Sequence, residues 1–270
     1  SGLDDVDSQE IVLMINEFIK SDAFDITSPR LIYQGSNSSL LNTIDELKSG
    51  KISGIITAGI NPGYTLPNAE EFLELVSKLE FSLCFSMKED ETANSCKYLA
   101  ATPHYLESWG DYEFKSGHYY LSQPTIKPLF DTNQFQDIIL TLSGSNNSFY
   151  DEIKTNWRTN ILKGKTWGKS LQDGFYYSYE NNAPRRIKTT LNLDNLPIQN
   201  NDELDLILYT KIGLGDGQQS SNPWLQEFPD PITRVTWDNY LTVSYKDAER
   251  LGLKNYNVSN GALNGSYVNV

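Results

Sequence analysis

Gly54-Ile-Ile-Thr-Ala-Gly-Ile60, the turn Asn61-Pro62-Gly63, and then Phe81-Ser-Leu-Cys-Phe-Ser-Met87 are the stretch whose reading decides the fold. Both apolar segments are continuous rather than alternating, which is how a strand buried on two faces reads. Each ends in a polar turn. Between them, residues 69–79 set Phe72, Leu73, Val76 and Leu79 on one face of a helix. Strand, helix, strand predicts a parallel pair. In open parallel sheets ligands dock at the carboxyl ends of the strands, where helix N-termini and free amides converge. Asn61-Pro62-Gly63-Tyr64 lies at such an end, and Asn61 offers both a donor and an acceptor. The same residues also make an ordinary tight turn. Glu89-Asp90-Glu91 places negative charge where a further helix starts, as its macrodipole favours.

Upstream, Ser8 is a plausible cap for a helix over residues 9–20, and residues 31–33 suggest a short strand. Asn37 or Ser38 opens a second helix running to Lys48, with Gly50 as its stop. Downstream, residues 103–128 are irregular and aromatic, and residues 135–143 and 149–162 read as helices. Residues 163–203 are polar and poorly periodic, a long irregular connection with a strand-like run at Tyr176, Tyr177 and Tyr179. The character changes near residue 200. Residues 206–210 and 240–244 read as strands, residues 246–251 as a helix ended by Gly252, and Gly265 begins a strand that stops at Val270. The expected division is therefore 1–203 and 204–270.

With 270 residues and 39% hydrophobic content, the chain can bury a large core in one or two domains. A formal charge of −13 disfavours nucleic acid, whose affinity rests on neutralising phosphates, and docking on an anionic membrane surface. No apolar run approaches the roughly 20 residues that span a bilayer, so no direct membrane insertion is expected. Ser1-Gly2 ahead of Asp4-Asp5-Val6-Asp7 reads as an artificial start, so the lack of a leader says little about compartment.

Cys84 and Cys96 are the only cysteines, and Cys84 sits in an apolar strand as a small buried thiol. An iron–sulfur cluster takes four thiolates, so none is expected within this chain. His104 and His118 are too few for a histidine-based metal site. Glu107, Asp111 and Glu113 cluster near His104. They could pair for acid–base work, but a solvated loop with a capping role fits them better. Gly213-Leu-Gly-Asp-Gly217 lacks the Lys-Ser or Lys-Thr of a phosphate loop and reads as a flexible loop. Arg185-Arg186 reads as surface. The 16 Tyr and 5 Trp are compatible with carbohydrate stacking and equally with buried rings that have wet polar tips. No catalytic residue is expected.

The run Glu89-Asp90-Glu91-Thr92-Ala93, then Leu99 and Pro103, then Tyr105-Leu106-Glu107-Ser108-Trp109-Gly110-Asp111 resembles the molybdopterin oxidoreductase family. There, an Asp/Glu-Thr-Ala helix start leads to a strand ending in Leu-Pro and then Glu-x-x-Gly. Gly59-Ile60-Asn61-Pro62 is similar to the family's Gly-x-Asn-Pro turn near the dinucleotide end of the pterin cofactor, and Gln123-Pro124 to its Pro-rich exit. Trp237 to Ser244 with Asp247-Ala248-Glu249-Arg250-Leu251-Gly252 resembles the start of the family's C-terminal double-psi barrel. His104 to Asp111, Pro128-Leu-Phe-Asp131 and Asn222 to Glu227 resemble one branch, the large iron–sulfur subunit of bacterial alternative complex III.

The resemblance implies an α/β fold: a parallel-sheet, Rossmann-like domain of the formate dehydrogenase/DMSO reductase type, followed by a partial double-psi β-barrel. It implies a fragment of a quinol-oxidising membrane complex on the periplasmic face of the cytoplasmic membrane, in contact with the rest of its subunit and with other subunits. This region would be structural and without a cofactor, the iron–sulfur clusters lying elsewhere in the parent. Catalytic relatives carry an Asn and then Glu-Gly-Arg where this chain has Glu113-Phe-Lys-Ser-Gly-His118. Many also carry Thr-Gly-Arg where it has Thr210-Lys211-Ile212-Gly213. Charge-assisted hydrogen bonds lost in this way contribute about 1.5–3 kcal/mol each. The alternative is a catalytic molybdoenzyme domain with molybdopterin guanine dinucleotide near Asn61, Pro62, Thr92 and Glu107. A secreted aromatic-rich binding module of two stacked sheets is disfavoured by the strand–helix order.

Overall fold

The computed structural model describes residues 6–25, 28–32, 35–178, 204, 206–215, 217, 219–237, 239–258 and 263–270. The chain divides between Leu208 and Tyr209 into two units. The expected boundary at 203/204 and residues 179–203 of the expected connection lie outside the described residues.

The first unit opens with helices α1 (Val6–Phe18) and α2 (Asn37–Lys48). The cap of α2 is Ser36, one residue before the expected position, its Oγ accepting from the Ser39 amide at 3.3 Å. Gly50 follows with φ +70°, the left-handed stop that glycine takes without strain. Strand β1 (Gly54–Ala58), short helix α3 (Pro62–Thr65), α4 (Ala69–Lys78), β2 (Phe81–Ser86), α5 (Glu91–Ser95) and β3 (Tyr98–Ala101) then follow in order. The strands pair in parallel as β1-β2-β3, with Ile56 opposite Leu83 and Leu83 opposite Tyr98. The expected parallel sheet is therefore present.

Its two faces differ. Ile55 belongs to the face that packs on a core of Leu47 from α2, Phe72 and Val76 from α4, and Leu79; Ser82 and Cys84 on the same face are fully buried. On the opposite face Phe85 is covered by Phe135, ring centroids 4.9 Å apart at 78°, while Ile56, Phe81 and Tyr98 stay exposed. Cys96 packs at the edge of the covered face. Burial pushes the Cys84 thiol up, and pushes Cys96 to about 11. Both thiols are thus neutral at physiological pH and poor nucleophiles. Iodoacetamide at neutral pH is expected to label neither in the native chain and both after denaturation, read by intact mass; native-state labelling of Cys84 would contradict the packing.

The segment after β3 departs from expectation. Residues 103–128 contain a hairpin, β4 (Gly110–Lys115) and β5 (His118–Ser122), turned at Gly117 with φ +79°. Helices α6 (Phe135–Leu142) and α7 (Phe149–Asn156) follow, the latter running into a π-helical turn over Trp157–Ile161. Part of the expected irregular connection is also ordered. Residues 167–177 form α8 (Trp167–Asp173) and β6 (Phe175–Tyr177), and β6 pairs antiparallel with β5. The reason is tertiary: Ile153, Trp157, Ile161 and Trp167 make a second core, against which Tyr119, Leu121, Leu171 and Tyr176 pack. Elements this short have too few residues to display a period, and aromatic burial holds them.

In the second unit, α9 (Pro223–Glu227), α10 (Tyr245–Arg250), β7 (Asn255–Asn257) and β8 (Leu263–Gly265) are present, β7 and β8 pairing antiparallel. Residues 240–244, expected as a strand, are not one, and neither are residues 206–210 at the junction of the units. No barrel is formed among the described residues. Among the described residues neither apolar run is paired into a ladder, and Leu206, Ile207, Leu208, Leu241 and Val243 are exposed. No described residue of this unit is a buried apolar side chain.

Candidate functional site

Three strand ends face the same edge of the parallel sheet, and the sequence-predicted residues lie in the turns that follow them. Asn61 comes after β1, Thr92 after β2, Glu107 after β3. The structure joins the first two. Gly59, with φ +65°, turns the chain out of β1 so that Asn61 precedes α3 with Pro62 in its first turn. Asn61 Nδ2 donates to Glu91 Oε2 at 2.7 Å. Its Oδ1 accepts from Thr92 Oγ1 at 2.7 Å and from the Thr92 amide at 3.2 Å. Thr92 Oγ1 in turn accepts from the Gly63 amide at 2.9 Å. Thr92, Pro62 and Gly63 are buried. A Cβ on Gly63 would stand 2.6 Å from Leu73 Cδ2 and 3.1 Å from both Thr92 N and Oγ1, so only glycine allows this approach.

Glu107 shares no hydrogen bond with that group among the described residues. It closes a capping box on the single turn Tyr105–Glu107: its Oε2 accepts from the His104 amide at 2.9 Å and His104 Nδ1 accepts from the Leu106 amide at 3.3 Å. Its other oxygen accepts from the Leu129 amide at 3.1 Å. The expected capping role is therefore met by Glu107. Asp111 and Glu113 instead stand on β4, with Asp111 accepting from Trp157 Nε1 at 3.0 Å and Glu113 from the Gly117 amide at 2.8 Å. The Glu91–Asn61–Thr92–Gly63 relay, spanning about thirty residues of chain, was not legible as such; the polar residues at two successive strand ends were the only signal for it.

A molybdopterin guanine dinucleotide would ask this edge for donors to its phosphates and guanine. Several of these donors are engaged internally. Pro62 has no N–H, the Gly63 and Tyr64 amides go to Thr92 Oγ1 and Asn61 O, and the Thr92 and Ala93 amides go to Asn61 and Asp90 Oδ1. The turn Lys88-Glu89-Asp90-Glu91 carries three carboxylates to one ammonium. The residues present do not fit an anionic dinucleotide.

The Asn61 amide holds the Glu91 carboxyl below the usual glutamate range. A depressed folded value means that this bond contributes at neutral pH and is lost as pH falls through the lowered value. In a carbon-detected carboxyl titration, Glu91 is expected to titrate at lower pH in the native chain than in Asn61→Ala; equal midpoints would rule the bond out.

No family model matches this sequence. A segment is 33% identical over 88 residues, 31% of this chain, to the molybdopterin-binding-like subunit of menaquinone reductase from Nitratidesulfovibrio vulgaris strain Hildenborough. The likeness supports a molybdopterin oxidoreductase-like family. It reaches no finer branch, and it spans 13% of that relative's length. Acetylene hydratase from Pelobacter acetylenicus superposes with a TM-score of 0.40 at 16% identity, covering 50% of this chain and 20% of that one. A superposition that loose carries no argument about the fold. Among the described residues, no helix is long and apolar enough to cross a membrane, and no group of acidic, His or Cys side chains could hold a metal.

Proposed function

We propose that this chain is a structural region of a molybdopterin oxidoreductase-like subunit in a membrane-associated quinone/quinol oxidoreductase complex, and that the region works without a pterin. The observation that carries the reading is the internally closed strand edge. Asn61 and Thr92, the residues of the family resemblance, hold each other, Gly63 and Glu91, leaving acidic side chains outward. An edge bonded in this way stiffens a scaffold and repels phosphate. The likeness to a subunit of menaquinone reductase supports the larger setting.

In this reading the quinol-oxidising complex is of the alternative complex III type, its iron–sulfur clusters lie in other regions of the subunit, and the assembly sits on the periplasmic face of the cytoplasmic membrane. Ile56, Phe81 and Tyr98 on the open sheet face, and Leu206 to Leu208, Leu241 and Val243, are then surfaces that neighbouring regions cover. Residues 206–210 and 240–244 become strands of a double-psi barrel only once those partners are present. The test is purification of the subunit from native membranes with assays for pterin and molybdenum. The expected result is co-purification with other redox subunits and no stoichiometric pterin. Stoichiometric pterin with molybdenum on the subunit would replace this reading with that of a catalytic molybdoenzyme.

A further inference from the structure

The β4–β5–β6 sheet has a strand built inside out. On β4, Tyr112 and Phe114 lie in the solvent-facing row, stacked 5.3 Å apart at 6°, while Asp111 and Glu113 lie in the row that faces the second core. Carboxylates turned inward and aromatics turned outward break the binary pattern, and such breaks concentrate where a protein does something besides fold.

Behind the two acids runs an unbroken column of oxidisable rings. Centroid separations are 4.6 Å from Trp109 to Tyr150, 6.1 Å from Tyr150 to Trp167, 6.0 Å from Trp167 to Trp157, and 6.2 Å from Trp157 to Tyr119. Trp157 is sealed from water at 0% exposure, and its Nε1–H donates to Asp111 Oδ2 at 3.0 Å. Glu113 is the register partner of Tyr119 on β5. Indole and phenol are among the side chains most readily oxidised by one electron, and both release a proton when oxidised. The column thus pairs rings in van der Waals reach of one another with a carboxylate at each of its last two members.

We propose that Trp109, Tyr150, Trp167, Trp157 and Tyr119 form a one-electron conduit, with Asp111 as the proton acceptor for Trp157. An external one-electron oxidant, an oxidised metal centre or an organic radical, removes an electron at the half-buried Trp109 end and is itself reduced by one electron. The vacancy passes to Trp157, whose Nε1 proton crosses the existing hydrogen bond to Asp111. A neutral indolyl radical and a carboxylic acid result. Tyr119 then gives an electron to Trp157, Asp111 returns its proton to Nε1, and the phenol proton of Tyr119 passes to Glu113. The tyrosyl radical left there takes one electron from an external thiolate, which becomes a thiyl radical, while Glu113 returns the proton to the phenolate oxygen. Burial pushes the Tyr119 hydroxyl up, with Glu113 adding to it, so the phenol stays protonated until it is oxidised.

The test is pulse radiolysis of the full chain, carrying Trp224→Phe and Trp237→Phe, with azide radical as the oxidant. The indoles that remain are then those of the column. The expected result is an indolyl signal that decays at a rate independent of protein concentration while a phenoxyl signal grows at the same rate. Tyr119→Phe, which removes one oxygen and keeps the ring, should leave the radical on indole. Asp111→Asn, which can still accept from Nε1 but cannot take the proton, should hold it in the cationic form, distinguished by its absorption. Decay that scales with protein concentration, or unchanged kinetics in both variants with native circular dichroism, would overturn the proposal.

Discussion

Trp157→Ala is expected to destabilise the first unit by about 3–5 kcal/mol, the range for truncating a buried large aromatic. Trp157 is fully buried, packs edge-on against Trp167 at 79° and against Tyr119 at 71°, and anchors the core to which α7, α8 and the antiparallel sheet contribute. The loss has a second part. Asp111 loses the Nε1–H donor to its inward, half-buried carboxylate, and the lost hydrogen bond adds to the deficit. Trp157→Phe keeps most of the volume and removes the N–H, so the difference between the two variants separates cavity from hydrogen bond. Urea unfolding followed by circular dichroism measures both. A loss below about 1 kcal/mol for the alanine variant, the size of an ordinary surface change, would show that this core contributes little to stability.

Thr92→Val is expected to cost about 1–3 kcal/mol for each hydrogen-bonding group it strands. Valine matches the shape of threonine, so packing is preserved and the hydroxyl is isolated as the cause. Thr92 Oγ1 donates to Asn61 Oδ1 and accepts from the Gly63 amide, at a residue with 0% exposure where water cannot substitute. Asn61 retains its bonds to the Thr92 amide and Glu91, while the Gly63 amide, which has no second acceptor among the described residues, is left buried. Hydrogen exchange should therefore report the loss locally, with the Gly63 amide losing protection before the amides of β2. Retained protection at Gly63 would contradict the relay. If the edge were instead adapted to a phosphate-bearing guest, guanosine diphosphate would raise the thermal midpoint of the wild type; the closed edge predicts no shift.

The parallel half of the fold was legible because its signals are local. Gly54-Ile-Ile-Thr-Ala58 and Phe81 to Ser86 are continuous apolar runs, and the helix between them carries Phe72 and Val76 on one face. The hairpin of β4 and β5 was not, because its pattern is inverted: residues 103–128 read as irregular and aromatic, with Asp111 and Glu113 in a solvated loop, where the structure has a strand with Tyr112 and Phe114 exposed and the two acids half-buried. The Lys-Ser-Gly-His turn between alternating residues was the signal available for it. In residues 206–210 and 240–244 the error ran the other way. Leu206 to Tyr209 is a continuous apolar run and Leu241 and Val243 alternate with polar residues, yet among the described residues neither segment is paired in a sheet.

By themselves, the residues of this chain determined the order of strand and helix over 54–101, the turn chemistry at Asn61 and Asp90, and the absence of a thiolate set for a cluster. These depend on period, propensity and side-chain inventory, properties that a few neighbouring residues carry. Only the tertiary structure decided that Asn61 pairs with Thr92 and Glu91, that Glu107 caps its own turn, and that Asp111 faces an indole. Those outcomes depend on which groups meet after the chain has closed, and a hydrogen bond between residues about thirty or more positions apart leaves no local trace in the sequence.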